Sequence, residues 1–345
     1  MNGRVERLRA LLEEPLLVTN PVNVVYLVGF QSTNPALLVE PERVQLFTDF
    51  RYAEVAAEVP GVEFVETARA LLKDLSTRLS GRIAIEADFM SVAGAETLRS
   101  GGLDVAPRSG LVERLRAVKD ERELDALRRA CAITDRVYER LAGERFTGRQ
   151  ERAVAWTMEQ LFHDEGGDGL AFDIIVASGP NGSKPHARAT DREIGRGETV
   201  VIDAGCAIDG YFSDYTRTFA TGPLADELRE AYAVCLTAQQ AGLDAVRPGV
   251  SGVDADGAAR RVVEESRFAG TFGHGLGHGL GLNVHEAPRL SPESSDTLEP
   301  GNVVTVEPGI YLSGRGGIRI EDNVVVTDDG IENLTGVHKD LVEVA

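Results

Sequence analysis

Acidic residues interrupt apolar, β-prone runs at four points in the second half of the chain, and no other feature restricts the fold as strongly. An ionised carboxylate inside an apolar strand is costly unless a cation or a proton neutralises it. These runs must therefore end at solvent or meet around bound positive charge. The four acids are Asp203, Asp214, Glu307 and Glu321.

The first two acids lie in a predicted β-hairpin whose turn signal is Asp209-Gly210. A two-residue turn at that pair sets residue 203 opposite residue 216. Because side chains alternate along a strand, Asp214 then projects from the same face as Asp203. Two carboxylates on one face indicate a cation or protons, and the alternative is a pair of solvent-facing aspartates at strand ends.

The other two acids lie in a second predicted hairpin. Its loop is the glycine-rich segment Ser313–Gly317, and Glu307 and Glu321 are equidistant from Gly314, which sets them opposite one another. A glutamate in an apolar strand rarely lacks a partner. Arg319 is an alternative partner for one of them, but that pairing leaves the other acids unaccounted for.

Four of the six histidines stand in glycine-rich segments. Glycine lets the backbone approach a site closely, and histidine serves both as a metal ligand and as an acid–base group. The remaining two, His163 and His338, lack such surroundings and are interpreted as surface residues. The four candidates for chemistry are His186, His274, His278 and His285.

Four carboxylates with an imidazole suit hard or borderline divalent ions, Mn²⁺ first, with Co²⁺ or Zn²⁺ as alternatives. Four negative charges are too many for one catalytic ion that must also hold water. They indicate two ions, close enough to share a hydroxide that is nucleophilic at neutral pH.

The first third of the chain alternates strand-like and helical runs, which predicts a small α/β domain. The break at Lys119-Asp120 in a long helical pattern predicts domains over residues 1–119 and 120–345. The second domain mixes helical patterns with β-prone runs, so the whole chain is of the α/β (α+β) class. Predicted strands of the first domain are Leu16–Val18, Val24–Val28, Ala36–Val39, Val44–Thr48 and Arg82–Glu86. Its predicted helices are Arg4–Glu13, Arg51–Val59, Thr67–Ser80 and Val92–Ser100.

The bulk charge and the cysteines exclude several classes of partner and site. A net charge of -19 repels phosphate backbones and anionic lipid, so we expect no nucleic acid and no membrane partner. Three widely spaced cysteines make neither a disulfide framework nor a cysteine zinc site. Charged residues near the start argue against a signal peptide, and we expect a cytoplasmic protein.

The motifs around these residues resemble a known family. VIDAG with SDYTRT, GHGLGLNVHE, VEPGIY and GIRIED are similar to the M24 metallopeptidases of pita-bread fold, over Glu121–Ala345. That family includes methionine aminopeptidase, aminopeptidase P and prolidase. NVVYLVGF and TDFRYAEVA resemble, more loosely, the creatinase-like N-terminal domain of the proline-specific branch.

The resemblance implies a ligand set for two metals. Asp203 binds one ion and His278 with Glu307 binds the other, while Asp214 and Glu321 bridge both. Glu307 is also implied as the general base or acid.

The resemblance further implies a substrate site made of His186, His274, His285 and Arg319. His274 and His285 surround the proline, and His186 lies near the scissile bond. Arg319 orders His285. His186, His285 and Arg319 then act with Glu307 in catalysis, since imidazoles stabilise an oxyanion and relay protons.

The implied function is that of an Xaa-Pro aminopeptidase, acting on peptides with proline in second position, in a homo-oligomer that is a dimer or larger. The alternative is prolidase, which must bind the free carboxylate of a dipeptide, with Arg289 and Arg188 as candidates. A metal-free creatinase-like hydrolase or a non-catalytic binding protein would lack metal ligands, and all five are present here.

Overall fold

The computed structural model describes residues 3–344. It divides the chain into two compact units, one up to Arg116 and one from Ala117. The mixed α/β class expected from the sequence is confirmed. The domain boundary after residue 119 stays a prediction.

The first unit contains a six-stranded sheet of order β4-β3-β2-β1-β5-β6. Strand β2 is antiparallel to both β1 and β3. The other neighbouring pairs, β3 with β4, β1 with β5 and β5 with β6, are parallel. Strands β1, β2 and β5 match their predicted ranges. The strands are β1 (Leu16–Val18), β2 (Ala36–Val39), β3 (Val44–Asp49), β4 (Glu63–Thr67), β5 (Arg82–Glu86) and β6 (Asp104–Arg108). The helices are α1 (Gly3–Arg9), α2 (Pro21–Val28), α3 (Ala53–Ala57), α4 (Leu71–Arg78), α5 (Val92–Ser100) and α6 (Leu111–Ala117).

The predicted helix Arg4–Glu13 ends at Arg9 in the structure, and two further predictions in this unit are wrong. The predicted strand Val24–Val28 is the end of helix α2. Asn20 caps that helix, a proline occupies its first position, and Gly29 ends it with a φ of 71°. These boundary signals outweigh the strand preference of the valines, which depends on context. The predicted helix Thr67–Ser80 begins too early, because β4 occupies its first residue.

The second unit repeats one arrangement, two helices packed against antiparallel strands. The break predicted at Lys119-Asp120 is confirmed, because Asp120 caps α7 in a reciprocal capping box with Glu123. The first set is α7 (Glu121–Leu141), α8 (Glu151–Asp164), β7 (Gly169–Leu170), β8 (Ile175–Ser178), β9 (Thr199–Ala204), β10 (Cys206–Ile208), β11 (Tyr211–Phe212) and β12 (Tyr215–Ala220). The second set is α9 (Asp226–Ala245), α10 (Gly252–Glu264), β13 (Gly277–Gly279), β14 (Glu286–Leu290), β15 (Val303–Val306), β16 (Gly309–Leu312), β17 (Gly316–Arg319), β18 (Asp322–Val326) and β19 (Ile331–Asn333).

Each set has its own apolar core between helices and strands, and alternation along the strands decides what faces away from it. In β9, Val200, Ile202 and Ala204 pack into the core with α7 and α8. Asp203 therefore projects from the opposite face. The same alternation in β12, β15 and β17 turns a group of polar residues away from the cores. They are Thr216, Thr305 and Arg319, with the flanking Asp214, Glu307 and Glu321.

Three further expectations concern single residues and helices. The three cysteines are buried and free. His163 and His338 are exposed, also as predicted. Across residues 3–344, no helix combines the length and the apolar character that crossing a membrane requires.

Candidate metal centre

The register of the first hairpin agrees with the prediction from its turn. Asp203 pairs with Thr216 between β9 and β12. Asp209 and Gly210 form the turn with φ values of 52° and 81°, the positive dihedrals that a two-residue hairpin turn needs. Asp214, immediately before β12, is 4% exposed. The two aspartates are thus held on one face and away from the core.

The second hairpin brings two glutamates to the same register position. Glu307 lies opposite Glu321, as the sequence predicts. The register of β15 with β18 and the register of β16 with β17 both set them so. Their backbone N–H groups bond outside the hairpin. Glu307 donates to the Leu276 carbonyl at 2.8 Å and Glu321 to the Thr216 carbonyl at 3.1 Å. Each glutamate is therefore fixed to a different neighbouring element, one of which is the first hairpin.

His278 lies in strand β13, which the sequence treats as glycine-rich loop. Its Nε2 atom lies 3.3 Å from Glu307 Oε1 and 3.6 Å from Asp214 Oδ2. Its Nδ1 atom lies 3.1 Å from the Gly279 carbonyl, an acceptor, so Nδ1 carries a proton. The Nε2 atom is then the one available to a metal.

Helix α10 holds the segment that carries these histidines. Asp256 accepts a hydrogen bond from the Leu276 N–H at 2.9 Å. Arg260 pairs with Asp256 and donates to the His274 carbonyl at 2.6 Å. Gly277 lies so close to β15 that a Cβ there would lie 1.9 Å from a main-chain oxygen of that strand. The glycine in this motif is needed for close approach of two strands.

The carboxylates crowd one another. Ligand atoms of Asp214, His278 and Glu321 all lie within 4.8 Å of one another. Burial, and then the charges of neighbouring carboxylates, raise the pKa values of Asp214 and Glu321 well above their ordinary values. The Oδ1 atom of Asp203 is buried and, within the part of the chain that the structure describes, has no hydrogen-bond partner. Carboxylates outnumber the cationic side chains among these described residues, and divalent ions fit that deficit of positive charge.

His278 and Glu307 form an ion pair in which each shifts the other. Burial lowers the pKa of His278, but the hydrogen bond and charge of Glu307 and the charge of Asp214 outweigh it and raise that pKa to about 9. Burial raises the pKa of Glu307, but His278 outweighs it and lowers that pKa to about 2. Thr305 donates to Glu307 at 3.2 Å and accepts from the His278 N–H, which fixes both partners.

Arg319 is buried beside the carboxylates, and its guanidinium contacts four groups. It donates to Asp203 at 2.6 Å, to the Thr216 hydroxyl at 2.9 Å and to the Tyr311 hydroxyl at 3.0 Å. A fourth bond goes to the carbonyl of Pro185. The sequence allowed an ion pair between Arg319 and one of the two glutamates. In the structure, Arg319 forms its ion pair with Asp203 instead.

The ordering of His285 by Arg319 stays a prediction, and the described contacts of Arg319 lead to His274. Through the Tyr311 hydroxyl, Arg319 reaches His274, whose Nε2 atom lies 2.9 Å from that oxygen. The His285 ring instead lies 4.2 Å from the His278 ring, centroid to centroid. Burial is the main cause that lowers the pKa values of His274 and His285, so both are neutral at pH 7.

His186 is exposed and follows Pro185, the residue whose carbonyl Arg319 binds. It is close enough that its charge contributes to the lowered pKa values of His274 and His285. All nine predicted site residues are thus linked directly or through one neighbour.

The sequence did not identify Tyr311 and Thr216 as residues of this centre. Their signal is alternation, since Tyr311 follows Glu307 by two steps of the strand period and Thr216 follows Asp214 by one.

Residues 125–328 match metallopeptidase family M24, and residues 4–118 match the creatinase/prolidase N-terminal domain. The chain belongs to metallopeptidase family M24. Enzymes of the M24 family use two metal ions, and this M24 peptidase contains a cluster of carboxylates and a histidine.

Similar proteins extend the match over both units of this M24 peptidase. It is 33% identical over 357 residues to the Xaa-Pro dipeptidase of Pyrococcus furiosus, covering 99% of this chain and 100% of that one. The structure of an Xaa-Pro dipeptidase from Bacillus anthracis superposes with a TM-score of 0.95 at 36% identity, covering 99% of each chain. The X-Pro aminopeptidase from Thermotoga maritima has a TM-score of 0.88 at 32% identity, covering 97% of this chain and 99% of that one.

Proposed function

We propose that this M24 peptidase hydrolyses the bond between an N-terminal residue and proline, using two divalent metal ions. The observation that carries the proposal is the convergence of four carboxylates and one imidazole at a face turned away from both cores. The similarity to Xaa-Pro dipeptidases and to an X-Pro aminopeptidase supports the choice of proline peptides.

We propose which of the two ions each ligand binds. Asp203 would hold one ion, His278 with Glu307 the other, and Asp214 and Glu321 both. When bound, such ions polarise a scissile carbonyl and lower the pKa of water. The nearness of His278 Nε2 to Glu307 supports their common ion.

Glu307 is the proposed general base. In the metal-free centre the proton on His278 lowers its pKa to about 2, so the carboxylate is ionised at neutral pH, as a general base must be before it accepts a proton. The hydroxyl of Thr305 holds one of its oxygens, which fixes the direction of the other. After accepting the proton, the same group is placed to donate it to the leaving nitrogen of proline.

His274 and His285, whose pKa values are lowered, are proposed to act on the substrate as neutral groups. His274 is oriented by Tyr311 on one ring nitrogen and by the Gly275 carbonyl on the other. His274 and His285, which lies beside His278, are proposed to surround the proline ring, and the exposed His186 is proposed to donate to the scissile carbonyl. Arg319 is proposed to set the position of His274 through Tyr311.

Arg289 favours a dipeptide over a longer substrate. Arg289 pairs directly with His278 across β13 and β14, so its side chain leaves the same face of the sheet as the candidate ligand. It is exposed, and among residues 3–344 no carboxylate pairs with its guanidinium. A guanidinium near the metal face suits the free carboxylate of a dipeptide ending in proline. Xaa-Pro aminopeptidase activity on longer peptides is the second candidate, supported by the Thermotoga maritima similarity.

Substrate length and the free carboxylate can be tested together. With Mn²⁺ added, we would measure kcat/KM for an Xaa-Pro dipeptide, its C-terminal amide and an Xaa-Pro-Yaa tripeptide. Prolidase activity predicts strong preference for the dipeptide with its free carboxylate. Similar rates on all three would support the aminopeptidase, and no hydrolysis of any Xaa-Pro bond would reject the proposal.

The arginine can be tested by substitution. Arg289→Met should lower kcat/KM for the dipeptide by roughly 10- to 100-fold, since a lost charge-assisted bond costs ~1.5–3 kcal/mol, and leave the amide nearly unaffected. Arg188→Met is the matched control, an exposed arginine two residues after His186. A dipeptide loss confined to Arg188→Met would transfer the role to that residue.

Three finer points complete the proposal. We propose Mn²⁺ as the ion, a homodimer or larger assembly, and a cytoplasmic location, all from the family resemblance and the acidic composition. Metal analysis after reconstitution should find two ions per chain. Fewer than one ion per chain, with no hydrolysis, would reject the metallopeptidase function for this protein.

A further inference from the structure

Arg217 is a buried arginine that the metal centre described above does not use. It follows Thr216 in β12, so it points to the opposite side of the strand from the carboxylates, and it is only 3% exposed. A guanidinium has five N–H donors, and every one of them finds an acceptor here. The acceptors are the carbonyls of Thr216, Glu321, Val337 and His338 and the carboxylate of Asp322.

The bond to Glu321 is the functionally relevant one. Arg217 Nη1 lies 2.6 Å from the Glu321 carbonyl. On the other side of the strand, the Glu321 N–H donates to the Thr216 carbonyl at 3.1 Å, and the Thr216 hydroxyl donates to the Glu321 carboxylate at 2.8 Å. Two consecutive residues of β12 thus hold Glu321 at its N–H, its carbonyl and its side chain.

Asp322 completes this support. Its buried carboxylate accepts from Arg217, from Gln239 at 3.1 Å, from Asn333 at 2.8 Å and from Lys339 at 2.5 Å. Two cations therefore surround one anion. Among the described residues, Asp322 is the carboxylate partner of Arg217. Moving the guanidinium would therefore leave two buried charges without their mutual partner, which is costly.

The segment around residues 336–339 closes the cage around Arg217. The N–H groups of Gly336 and Val337 donate to Asp135, and the Lys339 carbonyl accepts from the Tyr232 hydroxyl. That anchoring holds the Val337 and His338 carbonyls against the guanidinium. The support thus reaches from α7 and α9, which carry Asp135 and Tyr232, to Glu321, which lies between β17 and β18.

We propose that Arg217 is a positioning residue of the metal centre, acting through the main chain of Glu321. It fixes the two hairpins at the distance at which Asp214 and Glu321 can share ions. The inference rests on the proposed metal-dependent function. A merely structural arginine would affect the free energy of unfolding alone, whereas a positioning residue changes metal affinity in the folded protein.

The first variant is Arg217→Lys, which keeps the charge but loses the planar set of donors. We expect the folded variant to bind Mn²⁺ roughly 10- to 100-fold more weakly, the usual cost of removing a group that orients a metal ligand. Isothermal titration calorimetry, with Mn²⁺ added to the metal-free protein, measures this affinity directly. Excess Mn²⁺ should restore most of kcat, because the ligands themselves remain.

A second variant covers the case in which Arg217→Lys fails to fold. Lys339→Gln changes a partly exposed side chain at the outer edge of the Asp322 cluster. It should fold and weaken Mn²⁺ binding severalfold. The matched control is Arg149→Lys, an arginine of the same unit that also donates to a carboxylate and a carbonyl but contacts no ligand-bearing element. Its Mn²⁺ affinity should equal that of the wild type.

The outcomes separate this inference from the proposed function. Wild-type protein that binds no Mn²⁺ would reject the function and the inference with it. Wild-type protein that binds two ions, beside variants of Arg217 and Lys339 that bind Mn²⁺ with wild-type affinity, would reject only the positioning role. Loss of affinity in those variants but not in Arg149→Lys supports it.

Discussion

Arg319 joins Asp203 to Tyr311: one guanidinium lies 2.6 Å from the carboxylate oxygen and 3.0 Å from the hydroxyl. Tyr311 in turn contacts His274 at 2.9 Å. Bonds to ionised groups are stronger and more directional than neutral ones. The position of His274, which we propose contacts the substrate, is therefore coupled through two residues to Asp203, the proposed metal ligand. The bond between the Tyr311 hydroxyl and the neutral His274 ring is the weakest of the three.

Tyr311→Phe removes only this hydroxyl. We expect kcat/KM for Xaa-Pro substrates to fall by roughly 10- to 100-fold, because a lost bond to a charged group costs ~1.5–3 kcal/mol. The number of bound metal ions should not change. Steady-state kinetics and metal analysis measure both. Tyr26→Phe is the control, because this buried tyrosine lies in the first unit, where its hydroxyl donates to the Leu115 carbonyl, and its loss should affect stability but not kcat/KM.

Glu307→Gln keeps the shape of the side chain and removes its ability to accept a proton. We expect the fold to persist and kcat to fall by ~10²-fold or more, the usual contribution of a general base. Circular dichroism checks the fold, and kcat is measured at saturating Mn²⁺. Near-normal turnover would refute the role given to this residue. Glu332→Gln, which disrupts the partly exposed ion pair with Arg128, is a control that should keep full activity.

The hairpins of the metal centre were predictable because their information is local. A turn at Asp209-Gly210 and the period of two suffice to set Asp203 opposite Thr216. The same parity holds for Glu307 and Glu321, whose register follows from a symmetric loop. Local periodicity thus predicts which residues share a face, and burial of the other face in a core makes that parity strict.

Contacts between separate elements were not predictable in this way. The sequence does not show that Arg319 pairs with Asp203 of another hairpin, because 116 residues separate them. The sequence also does not predict strand β13, because the glycines of Gly277–Gly279 do not favour a strand. This segment is a strand because it pairs with β14 and β15. Tertiary packing, rather than composition, decides these features.

Gly277→Ala tests the close approach of β13 to β15. The added Cβ would lie 1.9 Å from a main-chain oxygen, so a strand must shift. We expect a loss of ~1–3 kcal/mol in the free energy of unfolding, as for other overpacked sites, and weaker metal binding through the neighbouring His278. Urea unfolding and metal titration measure the two effects. Gly273→Ala, where nothing lies within 4 Å of the new atom, should match the wild type.

The pH dependence of stability tests the charge balance of the metal-free centre. The folded pKa of His278 is about 9, against 6.5 for the ordinary residue. Its stabilising contribution is complete below pH 6.5 and is lost as the pH rises through about 9, because the folded state binds the extra proton in that window. The raised pKa values of Asp214 and Glu321 act with the same sign, whereas the lowered pKa of Glu307 matters only in acid.

Metal-free protein should therefore lose stability between pH 6.5 and 9, by up to about 1.4 kcal/mol per pH unit for each proton involved. Stabilisation by Mn²⁺ should rise over the same range, because the ion replaces those protons. Urea unfolding at several pH values, with EDTA or with Mn²⁺, measures both slopes. His278→Gln should flatten the metal-free slope. A slope unchanged by that substitution would mean that His278 does not hold the proton, and that the charge deficit of the carboxylates is met elsewhere.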